Sequence, residues 1–195
     1  MRTSSINRET KETKIVMELN LDGRGQAEID TGVGFMDHMF ELLAFHSVFD
    51  IKVKCVGDLK VDSHHTIEDL GIVFGDCLLQ ALGDKKGIMR YGQMTIPMDE
   101  ALVTTTLDLS GRPYLVYHAT LPMMMLGNYE TEMTKEFFKA VSDHALMTLH
   151  INESYGENTH HIIEAMFKSF ARALKQAVMI DEKNKDLIVS SKGLL

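Results

Sequence analysis

Cysteine is scarce: Cys55 and Cys77 are the only two in 195 residues. That is too few to staple a domain of this size, so a disulfide scaffold is excluded and reduced thiols in a cytosol are the default. A basic excess is missing as well, since 20 lysines and arginines face 28 acids for a net charge of -8. This balance argues against a broad phosphate-backbone surface and hence against nucleic acid as a partner. No hydrophobic run approaches membrane-spanning length, and Met1 to Thr13 is polar and charged where a secretory signal would be apolar. The expectation is a soluble, unanchored, cytoplasmic protein with no membrane partner; a plastid stays open if a transit peptide has been removed. What is present is an ordinary globular balance, 45% hydrophobic and 25% charged, enough for one domain or two small fused units.

Hydrophobic periodicity divides the chain. Ile15 to Leu21 alternates, and Ala27 to Asp30 continues as a short strand after the Gly23-Arg24-Gly25 turn. From Phe35 to His46 the apolar residues Met36, Met39, Phe40, Leu43 and Ala44 recur at the spacing of one helical face, and Asp50 to Val56 alternates again. His64 to Leu82 reads as a helix closed by Gly83. The order then repeats, with strands over Gln93 to Met98, Leu102 to Leu109 and Tyr114 to Ala119, a helix over Thr134 to Met147, a short strand at Leu149-His150-Ile151 and a helix over His160 to Met179. An α+β fold of two β-β-β-α-β-α halves follows, residues 1–92 and 93–180, with a tail over 181–195. Each half is too small for a comfortable core, so two sheets should pack against each other or against the four helices.

The last helix of each half opens alike, His64-His65-Thr66-Ile67-Glu68 and His160-His161-Ile162-Ile163-Glu164. In each motif the three polar groups project from adjoining sides of one turn, while adjacent histidines diverge by about 100° around the axis. Two metals are therefore served more easily than one. Imidazole with carboxylate suits Mn, Fe, Zn or Ni, and several histidines with two carboxylates lean toward a six-coordinate ion such as Mn(II). Ser63 and Thr159 precede the pairs as expected N-caps, placing the histidines where the helix dipole favours neutral imidazole. One such pair is most often a solvated helix start; two at matching positions point to ligands. His38 and Glu136 lie upstream at comparable distances, near the starts of the first helices of the two halves, and each could complete a ligand set. His144 and His150 compete with Glu136, although the former lies two turns further along its helix and the latter in the next strand.

Gly34-Phe35-Met36-Asp37-His38-Met39, Asp62 to Asp69, Asp108-Leu109-Ser110-Gly111-Arg112-Pro113 and Asn158 to Ala165 together resemble imidazoleglycerol-phosphate dehydratases, over about Arg8 to Lys192. Glu136 is a departure, because some relatives carry His before the Phe-Phe pair. The resemblance implies a ribosomal-protein-domain-like fold with two four-stranded sheets, a trimer-based assembly of twenty-four subunits, and active sites between subunits. It implies two Mn(II) per active site, held by His38, His64, His65, Glu68, Glu136, His160, His161 and Glu164, and no organic cofactor. Glu12 would touch substrate, and Arg90, Arg112, Lys168, Ser190 and Lys192 would receive its phosphate, with the tail closing that site.

The implied reaction is loss of water from imidazole glycerol phosphate to give imidazole acetol phosphate in histidine biosynthesis. Two metals, one on each ring nitrogen, would stabilise the imidazolate that expels hydroxide. A base and a proton donor are then needed, for which Glu12, Glu68 and Glu164 are candidates, with His46 one turn further along the first helix supporting the site. The rival readings are a di-metal phosphate-ester hydrolase, which would use the same ligands, and a non-catalytic metal-storage cage, which the strand-rich, glycine-punctuated segments disfavour.

Overall fold

In strand β2 (Thr13–Asn20) the buried residues Thr13, Ile15, Met17 and Leu19 alternate with outward-facing Lys14, Val16 and Glu18, so its sheet has one apolar face that must be covered. In the computed structural model, which describes residues 1–195, β2 pairs antiparallel with β1 (Thr3–Glu9) and β4 (Asp50–Gly57). Strand β3 (Ala27–Asp30) adds parallel to β4, giving the order β1-β2-β4-β3. The second half repeats this arrangement. Strands β5 (Tyr91–Met98), β6 (Ala101–Asp108), β7 (Tyr114–His118) and β10 (Thr148–Tyr155) form the order β5-β6-β10-β7, with the β10–β7 pair parallel. The same strand order, with the parallel pair in the same place, makes this a duplicated α+β fold.

Four helices cover the apolar sheet faces: α1 (Gly34–Ser47), α2 (His64–Leu82), α3 (Met133–His144) and α4 (Thr159–Val178). Helix α2 lies on β1, β2 and β4, and α4 lies on β5 and β6. Helix α1 packs against α4 and α3 against α2, so the first helix of each half meets the last helix of the other. Phe40, Phe74, Phe137, Phe138, Phe167 and Phe170 join all four helices, their ring centroids 4.9 to 6.1 Å apart. Full burial of each ring stabilises by roughly 1.5–3 kcal/mol. One cluster of 47 buried residues draws on both halves, so they share a single core. No helix is long and apolar enough to cross a membrane. Both cysteines are free and buried, and burial pushes the Cys55 thiol up to about 12 and the Cys77 thiol up to about 11, leaving them inert.

Several elements depart from the periodicity. Strand β1 occupies the polar N-terminal stretch because an edge strand needs only backbone pairing on one side. Strand β10 runs to Tyr155 although Asn152 and Glu153 are polar, because β6 and β7 flank it on both sides. Helix α3 stops at His144, where the chain turns through Leu146 at φ +51°. A small hairpin of β8 (Met125–Leu126) and β9 (Tyr129–Glu130) sits in a region that reads as irregular.

Gly92 allows β5 to touch α4: a Cβ there would stand 1.9 Å from the Ala173 carbonyl oxygen, a backbone atom that cannot swing aside. Gly92→Ala should therefore cost about 3 kcal/mol, the upper end for overpacking. Thermal melting should show a drop of roughly 6–12 °C. An unchanged midpoint would mean that α4 and β5 are not so closely apposed.

Candidate active site

Of the two expected N-caps, Ser63 holds its position and Thr159 does not. Asn158, in an extended conformation, caps α4, its Oδ1 accepting from the His160 amide at 2.9 Å and the His161 amide at 3.4 Å. Thr159 is already inside the helix. Ser63 does hold the N-cap position of α2, but its hydroxyl donates to Glu130 of β9, which also accepts from the Ser63 amide at 3.1 Å. Asp62 Oδ1 accepts the His64 amide at 2.9 Å. Carboxylates thus take over the cap because a negative charge suits both the free amides and the dipole of a helix start.

These caps hold the histidines in the first turns. His160 Nε2 lies 3.2 Å from Glu164 Oε2, one helical turn away, and His38 Nε2 of α1 lies 3.5 Å from the same oxygen. One ligand atom from each of His38, His160 and Glu164 falls within 4.8 Å of the others, so the α1–α4 contact brings residues of both halves to one point. Glu164 is 7% exposed, and Lys168 Nζ sits 2.5 Å from its other oxygen. Burial alone would raise the Glu164 carboxyl, but Lys168 and His38 more than reverse this and hold it below the ordinary carboxylate range. Two imidazoles and an ionised carboxylate at this spacing are a donor set that fits a Mn, Fe, Zn or Ni ion.

The first half builds a looser counterpart. His64 Nε2 lies 3.6 Å from Glu68 Oε2, both about half exposed. Glu136 is on α3, which packs against α2; the Lys139 ammonium nearby is raised chiefly by its hydrogen bond to Asp143, to which the charges of Glu136 and Glu68 add. Within one chain these three do not converge as His38, His160 and Glu164 do. His144 is held by Asp76 at 2.9 Å at the far end of α3, and His150 lies in β10, so neither enters the group.

The second histidine of each motif turns away from the first, with ring centroids 6.0 and 6.2 Å apart, and each finds a carboxylate. His65 Nδ1 meets Asp58 at 3.0 Å and its Nε2 lies 3.8 Å from Glu12. His161 Nδ1 meets Glu100 at 2.7 Å and its Nε2 lies 3.9 Å from Asp99. Proximity to His161 and the Asn158 amide lowers the Glu100 carboxyl to about 2. A carboxylate on Nδ1 fixes the tautomer that leaves Nε2 free to ligate. Gly57 allows this in the first half, because a Cβ there would stand 2.0 Å from Thr66 Oγ1 and push the Asp58 loop off α2. Glu12 is positioned by its hairpin: Thr10 Oγ1 accepts from the Glu12 amide at 3.1 Å, while Arg8 and Thr13 both donate to buried Asp69 of α2.

His46 reaches back from α1 with a buried Nδ1 that has no protein partner. Burial, then Arg172 and Lys168, pull its pKa down, so it is a neutral ring close to the Lys168–Glu164 pair. Of the five residues read as phosphate ligands, Arg90, Arg112, Ser190 and Lys192 line one cleft of about 470 Å³. Lys168 is elsewhere, between Glu164 and Met98. Arg90 donates through Nε and Nη2 to Asp108 at 2.7 and 3.0 Å and through Nη1 to the Val189 carbonyl at 2.7 Å. This last bond, with Gly87 N to Leu187 O at 2.9 Å, holds the tail. The apolar Leu187-Ile188-Val189 run adds little burial to this hold, since Leu187 is 59% exposed. Asp58, Glu100 and Asp69 carry no sequence signal of their own; only the match between the β1–β2 and β5–β6 hairpin turns, facing the two helix starts, could have pointed to Glu100.

A duplicated α+β scaffold that gathers imidazoles and carboxylates at paired helix starts, with a cleft lined by Arg90, Arg112 and Lys192 on the same chain, has the clustered titratable groups of an enzyme that acts on small molecules. A family model for imidazoleglycerol-phosphate dehydratase matches residues 31–174. Imidazoleglycerol-phosphate dehydratase of Lactococcus lactis subsp. cremoris is 62% identical, over 100% of this chain and 98% of that one. The Heliobacterium modesticaldum protein of the same name is 56% identical over the full length of both. The crystal structure of the Staphylococcus aureus dehydratase superposes with a TM-score of 0.84 at 42% identity, over 92% of this chain and 99% of that one. The Pyrococcus furiosus structure gives 0.83 at 34% identity, over 97% and 100%. The chain belongs to the imidazoleglycerol-phosphate dehydratase family, and it is a hydro-lyase.

Proposed function

We propose that the chain converts imidazole glycerol phosphate to imidazole acetol phosphate and water in histidine biosynthesis, with two Mn(II) held by the His-His-x-x-Glu helices of assembled copies. The convergence of His38, His160 and Glu164 on one point carries this reading. These three would hold one ion and His64, Glu68 and Glu136 the core of the other, with His65 and His161 offering Nε2 to the ions from a neighbouring copy. Manganese, when bound, would supply Lewis acidity at the substrate's ring nitrogens.

The chain's own residues provide the rest. Glu164, kept ionised by Lys168, can accept a proton, and Glu12 beside His65 and Glu68 beside His64 are further carboxyls at the imidazoles. Dehydration needs a base and an acid: one proton leaves the carbon adjacent to the one that loses its hydroxyl, another joins that hydroxyl to make water, and the enol left behind becomes the ketone. Arg112, Lys192 and Ser190 supply the hydrogen bonds that a phosphate dianion requires.

One chain cannot do this alone. Lys168 touches Met98 at one end of β5, while Arg90 lies just beyond its other end. Eight residues of strand separate them, roughly 25 Å, far more than one ring, three carbons and a phosphate can span. This separation supports sites formed by the cleft of one copy and the imidazole cluster of another, an arrangement that a trimer-based assembly would provide. Co-assembling Arg112→Ala chains with Glu164→Gln chains tests this. Each parent should be nearly inactive, whereas random hybrids should regain about a quarter of wild-type activity, the fraction of sites that pair two intact surfaces. Hybrids as inactive as their parents would contradict the shared site.

A further inference from the structure

The loop between α2 and β5 contains two non-glycine residues with left-handed backbones, Lys85 at φ +56° and Arg90 at φ +71°. Such conformations are strained and persist where the surroundings impose them, often at functional sites. Both residues send a cation to the end of β6. Arg90 takes up the Asp108 carboxylate through two donors. Lys85 is 4% exposed, and its Nζ donates to the Leu109 carbonyl at 3.2 Å, its one protein hydrogen bond.

A buried ammonium with a neutral partner is an expensive arrangement, because desolvation is not offset by an ion pair of its own. Asp108 lies close enough to favour the charge, but Arg90 shares that carboxylate and opposes it. A nonpolar side chain of the same length would cover this space at lower cost. The carbonyl that Lys85 holds leads directly into Ser110, and Ser110-Gly111-Arg112 lines the cleft together with Arg90, Ser190 and Lys192. The ammonium thus sits behind the turn on which a bound phosphate would rest, shielded from the water that would screen it.

We propose that Lys85 is a positioning residue of the anion cleft: it fixes the Ser110–Arg112 turn through the Leu109 carbonyl and adds a buried positive charge to those that attract a dianion. This rests on the reading of the cleft as the phosphate site. Lys85 does not touch the ligand, so its removal should act on binding and spare the chemistry.

The test compares Lys85→Met and Lys85→Gln with the wild-type, metal-loaded assembly, using inorganic phosphate as the probe. Lys85→Met keeps the stem and removes the charge; it should melt at or above the wild-type midpoint without phosphate and lose most of the stabilisation that phosphate confers. Its phosphate affinity should fall, and its KM rise, on the order of tenfold with kcat nearly unchanged. Lys85→Gln, which removes the charge and keeps a shorter polar donor in its place, should lose phosphate affinity as Lys85→Met does or somewhat less. Lys85→Arg, which keeps the charge, should recover part of the loss. Arg112→Ala is the control for the cleft itself: if it retains wild-type phosphate affinity, the cleft is not the phosphate site. If Arg112→Ala loses affinity while Lys85→Met and Lys85→Gln keep wild-type affinity and KM, the role given to Lys85 is overturned, whatever happens to their melting points.

Discussion

Glu164→Gln should leave the fold of each chain in place while lowering kcat by roughly 10²- to 10⁴-fold, the range for loss of a positioned acid–base group. The substitution is isosteric, and α4 is held by its apolar stripe of Ile163, Phe167 and Phe170 and by the Asn158 cap, none of which involves the carboxylate. What it removes is the one anion shared by His38, His160 and Lys168. An amide oxygen is a poorer ligand than a carboxylate for a hard divalent ion, and it cannot accept a proton at neutral pH. Metal content should fall at this cluster together with the rate. Steady-state kinetics with metal analysis on the same preparation checks the result. His144→Ala serves as the contrast, because His144 is paired with Asp76 away from the cluster and should stay within a few-fold of wild type. A Glu164→Gln enzyme with wild-type kcat would remove Glu164 from both roles.

The duplicated architecture was legible in the sequence because both of its signals are local. Alternation marks β2 and β6, a 3.6-residue stripe marks α1 and α4, and helix α2 spans the very residues, His64 to Leu82, that the pattern delimits. The paired motifs were legible for the same reason, since four-residue spacing on a helix brings His160 to Glu164 without reference to the rest of the chain. What could not be read is the exchange between halves. Only tertiary packing of α1 on α4 carries His38 to Glu164 across 126 positions of sequence. The carboxylates on the second histidines were hidden too, because Asp58 and Glu100 lie in loops where periodicity says nothing. The caps were misread at Thr159 because two adjacent residues, Asn158 and Thr159, both suit the position and only backbone conformation chooses between them. The hold on the tail, a hydrogen bond from Arg90 to the Val189 carbonyl, is likewise a contact between distant residues that no local pattern marks.

Removing the metal should have the largest effect of all. If ions held by imidazoles and carboxylates of different copies are both the Lewis acid and the cross-link, chelation must abolish turnover and weaken the assembly together, since metal binding and association are then linked. The decisive measurement is therefore a metal titration of the chelated protein, with bound manganese per chain, dehydration rate and particle size followed in the same samples. Activity is expected to be absent in the stripped protein, to rise in proportion to bound manganese, and to level off at two ions per chain with the large particle restored. Undiminished dehydration of imidazole glycerol phosphate by the metal-free chain would contradict the proposed mechanism outright.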